Sequence, residues 1–136
     1  MALDKGLQGN ETIEEAILAL QEQTSQEMLA HALTVVRRRM KEGGQLIVAV
    51  DPPKAGGQME VQILKTQDGR TWWAAFTSFE EEMKGSGAVM STFMADIRQL
   101  FEAAASEETI CGIIINPWNR TLMLNKALIR IVLGKE

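Results

Sequence analysis

The side chains able to do nucleophilic, acid–base or metal chemistry are few and scattered in this chain. His31 is the one histidine and Cys111 the one cysteine. A catalytic nucleophile needs a base within hydrogen-bond reach, and the base needs a group to orient it. His31 falls instead inside a helical stripe of Met28, Leu29, Ala32 and Leu33, with no Ser, Cys or Asp placed around it in a catalytic motif. Cys111 stands among Ile110, Ile113, Ile114 and Ile115, where a thiol behaves as a small hydrophobe, and no cationic sequence neighbour is there to activate it. One cysteine excludes an internal disulfide, and one Cys with one His cannot assemble the usual zinc sites. Gly56-Gly57 and Gly85-Ser86-Gly87 continue neither as a P-loop nor as GxGxxG after a strand, so they read as turns. Glu80-Glu81-Glu82 spreads around a helix axis without the oxygen-rich loop that calcium requires. No cofactor and no metal is expected.

Two further clusters could bind rather than react. Arg37-Arg38-Arg39 with Lys41 is the one basic run; consecutive helical residues diverge, so it reads as a solvated helix end whose cations suit the negative end of the dipole. Trp118 differs, because a turn tryptophan between Asn116 and Asn119-Arg120 joins apolar surface to several hydrogen-bond donors. Trp, Arg and amides are common at binding hot spots, although a tryptophan can also fold back to plug a core.

The elements that must position these residues follow from pattern. Ile13, Ala16, Ile17 and Leu20 mark a first amphipathic helix, and Thr24 with Glu27 fits a capping box for a second, which ends at Gly43-Gly44. The two should form a helical hairpin. Gln45 to Asp51 and Ile110 to Asn116 are apolar at odd and even positions alike, which predicts interior strands covered on both faces. Between them, Met59 to Thr66 and Thr71 to Thr77 flank Asp68-Gly69, a two-residue hairpin signal. That register would set Leu64 opposite Trp73, away from a core face of Met59, Val61, Ile63, Trp72, Ala74 and Phe76. A helix is expected from Ser91 to about Ala105, and Pro117 should end the isoleucine strand. Arg120 to Leu124 then returns as a short strand, and Asn125 caps a last helix running to Leu133.

The fold class so predicted is α+β: a mixed, largely antiparallel sheet of about five strands, with helices packed against it and an N-terminal helical hairpin. With 136 residues, 46% hydrophobic and 24% charged, the chain suits one domain over residues 1–136, with 1–10 loosely held. A net charge of −4 gives no purchase on a phosphate backbone, so nucleic acid is not an expected partner. No apolar run is long enough to span a bilayer and no signal-like start is present, which points to the cytoplasm and away from membranes.

The strand LIVAVD, the strand end Phe76-Thr77-Ser78-Phe79-Glu80 and the closing GIIINPWNRTLMLNK together resemble the N-terminal domain of the SseB family. The likeness runs from about Gln45 to Leu133. It implies the fold, with an "FT" strand end leading into an acidic turn and an "INP" turn leading to the last helix. It implies no reaction and no catalytic residues. Full-length members often continue into a second domain, for which this chain is too short.

The functional reading is a non-catalytic protein-interaction or regulatory module whose partner is another protein or a second copy of itself. Its candidate surface is Leu64, Trp73, Asn116, Trp118, Asn119 and Arg120. The alternative is a small-ligand-binding or enzymatic domain whose pocket cannot be read from sequence. A cross-strand aromatic–aliphatic pair contributes only about 0.2–1 kcal/mol, too little to hold a tryptophan in water, so something should cover Trp73. If that cover is a partner, Trp73→Ser weakens self-association or partner capture with far-UV circular dichroism intact; loss of the fold would make Trp73 core.

Overall fold

In a computed structural model, which describes residues 7–51, 60–61, 63–78, 92–117 and 121–134, the two aliphatic runs become interior strands of one sheet. β1 (Gln45–Asp51) lies between β5 (Thr92–Asp96) and β4 (Thr71–Phe76), and β6 (Gly112–Ile115) lies between β4 and β7 (Leu122–Asn125). The five-strand path β5-β1-β4-β6-β7 is antiparallel except at β4–β6. Two short segments join it, β2 (Glu60–Val61) on the end of β1 and β3 (Ile63–Lys65) on the first half of β4. The class is α+β, as expected.

Both-sided burial is what the aliphatic runs provide. In β1, Leu46, Val48 and Val50 join the main core, while Ile47 and Ala49 join a second cluster with Ala74 and Phe76 on the other face. Four helices supply the main core: α1 (Glu11–Glu22), α2 (Gln26–Lys41), α3 (Ile97–Ser106) and α4 (Lys126–Leu133). α1 and α2 pack on each other as the expected hairpin, and α4 packs on both α2 and α3. Ser25, one residue later than the expected cap, takes the Met28 N–H at 3.1 Å. Thr24 instead lies just past the end of α1 and donates its hydroxyl to the Leu20 carbonyl. Asn125 caps α4 by accepting the Leu128 N–H at 2.9 Å, and Gly134 ends it. Among the described residues no helix is long and apolar enough to cross a membrane.

Two sequence expectations fail. Residues 92–96 are strand, not the first turns of a helix, because β1 would otherwise leave one row of backbone groups unpaired. Phe93 and Ile97 fit a helical stripe by spacing, but Thr92 and Phe93 also favour extended chain, and the pairing with β1 decides. The Asp96 carboxylate accepts from Gln45 Nε2 at 3.1 Å and makes no cap to α3.

The second failure is the hairpin register. Thr66 O accepts the Gly69 N–H and Thr66 N–H donates to Arg70 O, so the loop has three residues, with Gly69 at φ 85°. A type I turn followed by a left-handed glycine replaces the two-residue turn. The Asp68 carboxylate braces it by accepting from the Thr66 hydroxyl and the Arg70 N–H, and these bonds hold its pKa below the ordinary 3.8. One extra residue shifts every partner: Ile63 faces Trp73 and Leu64 faces Trp72. Leu64 thus belongs with Trp72, Ala74 and Phe76, and Ile63, expected in the core, is 51% exposed. Met59 lies outside the described residues, as does the side chain of Val61.

Two glycines separate steric from conformational demand. A Cβ on Gly112 would sit 1.9 Å from the Leu124 carbonyl oxygen of the paired strand β7, whereas a Cβ on Gly69 would meet nothing within 4 Å. Gly112→Ala should therefore forfeit about 3 kcal/mol or more, since backbone must move. Gly69→Ala should forfeit about 1–2 kcal/mol, the left-handed penalty alone. Urea denaturation of the two variants checks the order.

Candidate functional site

Because β4 and β6 run parallel with Ala75 beside Ile115, their C-terminal ends lie together, and the next residue of each is polar and shut off from water. Thr77 is 1% exposed and Asn116 fully buried. Asn116 is the one non-glycine residue with positive φ among those described, at 53°, a conformation asparagine tolerates better than most. Its N–H donates to Ala75 O at 2.8 Å. Its side chain grips Thr77 twice: Oδ1 accepts the Thr77 N–H at 2.9 Å, and Nδ2 donates to Thr77 Oγ1 at 3.0 Å. The Thr77 hydroxyl donates in turn to the Glu14 carboxylate on α1. Thr121 Oγ1 donates to Asn116 O at 2.7 Å, which pins the two ends of the chain around positions 117–120.

A second asparagine continues the network. Asn10, 2% exposed, donates from Nδ2 to Gln45 O at 2.8 Å and to Thr77 O at 3.1 Å. Its Oδ1 accepts from Arg39 Nε at 3.0 Å, and Arg39 Nη1 reaches Glu42 at 3.1 Å. Arg39 is therefore buried, not part of a solvated run, and the described chain is tied down from Leu7, which packs against the cluster of Ile47, Ala49, Ala74 and Phe76 on the second face. Sequence reading had no signal for Asn10, since a polar residue ahead of a helix reads as a cap. It makes no side-chain cap bond here.

The Thr77 hydroxyl beside the Glu14 carboxylate has the make-up of a nucleophile and a base. Its burial and its second bond, from Asn116 Nδ2, give it another role: no substrate atom can reach an oxygen so enclosed, and both its donor and acceptor capacities are engaged. The network holds elements together. Among the described residues no buried side-chain nitrogen or oxygen lacks a partner, and no group of three His, Cys, Asp or Glu is placed to hold a metal. His31 is exposed, and Cys111 lies half-buried in the bend before β6 and not within the strand.

The expected interaction residues do not form one surface. Leu64 is half-buried on the second face, whereas Trp73 is half-buried on the helix-covered face, so the pair foreseen across the hairpin is split. Asn116 is interior. Trp118, Asn119 and Arg120 lie outside the described residues. In place of Leu64 and Trp73, one row crosses the sheet on the helix-covered face: Leu124, Ile113, Trp73 and Ile63. The first two are fully buried, Trp73 is half-covered, and Ile63 emerges. Trp73 is thus covered in part by its own chain.

The model of the SseB protein N-terminal domain matches residues 8–130. The match begins ahead of α1, so the two N-terminal helices fall within the family domain along with the strands. No curated protein and no solved structure matches the chain.

The two jobs of Asn116 can be separated by substitution. Asn116→Gly removes the grip on Thr77 while keeping the backbone relaxed, and should lower stability by about 1–3 kcal/mol for an unsatisfied buried donor. Asn116→Ala adds the left-handed penalty of about 1–2 kcal/mol on top. Equal stability of the two variants in thermal and urea unfolding would show that backbone conformation at this residue is without consequence.

Proposed function

The chain belongs to the SseB N-terminal-domain family, and from that premise we propose that it is a non-catalytic protein-interaction or regulatory module of the cytoplasm. Its partner is another protein or a second copy of itself, with neither nucleic acid nor membrane as a target. The observation that carries this reading is the row in which the core surfaces, Leu124–Ile113–Trp73–Ile63, with Ile63 51% exposed beside a half-covered tryptophan. Single exposed aliphatics are ordinary on any protein. An exposed one continuous with an accessible tryptophan is the composition of a contact centre, where a large rigid ring and an adjacent apolar side chain can be desolvated together.

Leu64 enters this reading through the same hairpin, from the other face, and Asn116 enters as the residue tied to Thr121 on the two sides of Trp118, Asn119 and Arg120 in the sequence. Those three supply an aromatic ring, an amide and a guanidinium to the same partner or to another. The single reduced cysteine and the net charge of −4 are consistent with a cytoplasmic protein that does not seek polyanionic polymers.

Trp73→Ser would confuse binding with stability, because the ring packs against the main core. Ile63→Lys is the cleaner test. It should leave urea stability within about 0.5 kcal/mol of the parent, as for other surface changes. Dimer formation in sedimentation, or capture of a partner from lysate by the tagged chain, should fall about tenfold or more, as for a contact worth over 1 kcal/mol. Unchanged self-association and unchanged capture would remove this face from the proposal.

A further inference from the structure

Removal of Arg39 to the interior changes what remains of the basic run. Arg37, Arg38 and Lys41 stay exposed and, with Thr34 and Glu42, line one open hollow of about 440 Å³ on the outer side of α2. The divergence of consecutive helical residues, which argued against a shared patch, acts on Arg39 alone. None of the three cations makes a hydrogen bond or ion pair with any described residue. The one carboxylate at the rim, Glu42, is held by Arg39.

Part of this charge has a structural use. The hollow lies at the C-terminal end of α2, and Arg37 Nη2 is 3.0 Å from where a Cβ on Gly134 would be, at the end of α4. A helix C-terminus carries about half a negative elementary charge, so the two ends together offset about one of the three cations. Among the described residues about two positive charges are left over, in a chain whose net charge is −4. A surplus of two matches the dianion of a phosphate monoester, which carries about 1.5 to 2 negative charges at neutral pH. Two guanidinium forks suit its tetrahedral oxygens better than they suit a chloride or a single carboxylate.

We propose that this hollow is a binding site for a phosphate-bearing ligand, with Arg37 and Arg38 holding the phosphate oxygens and Lys41 supplying a point charge. Its volume lies in the range of small-molecule sites and leaves room beside the phosphate for a further group resting on Thr34 and the lysine and arginine stems. The proposal goes beyond the interaction reading and does not depend on it, since no residue is shared.

The test is an amide NMR titration of the full chain with glycerol phosphate and with pyrophosphate, each against sodium chloride at equal ionic strength. Saturable shifts confined to the last three turns of α2 and the end of α4 are expected with the phosphates only. Arg38→Gln, at an exposed position, should weaken them about tenfold, as should Arg37→Gln, the loss of one charge-assisted pair each. Arg38→Lys should recover part of the affinity. Co-sedimentation with phosphatidic acid vesicles, lost in Arg38→Gln, together with no response to the soluble phosphates, would identify the phosphate as a lipid headgroup. Shifts that sodium chloride reproduces, or binding that survives in folded protein carrying both Arg37→Gln and Arg38→Gln, would overturn the site.

Discussion

The buried grip of Asn116 on Thr77 is the constraint on which the rest of the fold depends. Two parallel strands end side by side, and parallel ends present backbone groups that no tight turn can pair, since the chain must leave each strand without returning. A lone buried N–H left there would forfeit about 1–3 kcal/mol. Asn116 settles the matter by turning its backbone into the left-handed region, so that one amide side chain meets both the N–H and the hydroxyl of Thr77. Asn10 then takes the Thr77 carbonyl, Arg39 takes Asn10, and Glu14 takes the Thr77 hydroxyl. Two strand ends, the start of β1, both N-terminal helices and the chain ahead of them are closed by one connected set of donors and acceptors. Such a set is stable only when complete, because Asn10, Arg39, Thr77 and Asn116 are all buried.

This arrangement explains which parts were legible in sequence. Side chains that act through their immediate neighbours could be read: the two aliphatic strands, the Asn125 cap, the stop at Pro117 and the amphipathic faces of the helices. Residues that act at long range could not. Asn10 meets Gln45 and Thr77 across 35 and 67 positions, and Arg39 meets Asn10 across 29, so nothing near them in the chain announces a partner. The hairpin shows a third case, in which local chemistry was ambiguous: Asp-Gly serves both a two-residue and a three-residue turn, and the choice reverses which of Ile63 and Leu64 faces the helices. The strand at 92–96 was hidden because Phe93 and Ile97 satisfy a helical spacing as well as an extended one. The candidate surface was legible as surplus apolar content but not in its placement, since placement depends on that register.

The candidate sites sit on separate parts of the fold. The apolar row emerges at Ile63 of β3, and the cationic hollow lies on the outer side of α2. α2 turns Arg39 inward and Arg37, Arg38 and Lys41 outward, so the last turns of one helix serve both the buried network and the solvent-facing charge. Geometry at the two surfaces can thus vary without disturbing the closed polar set.

A consequence follows for how relatives of this chain can be recognised. The strand end bearing Thr77 and the turn beginning at Asn116, which carry part of its likeness to the SseB family, are two halves of one fastener. A signature built on them selects chains that close a sheet in this manner, whatever those chains go on to meet. Sorting such chains by biological role would instead require comparing residues the signature ignores, Ile63, Arg37 and Arg38 among them, which are free to diverge while the fastener stays the same.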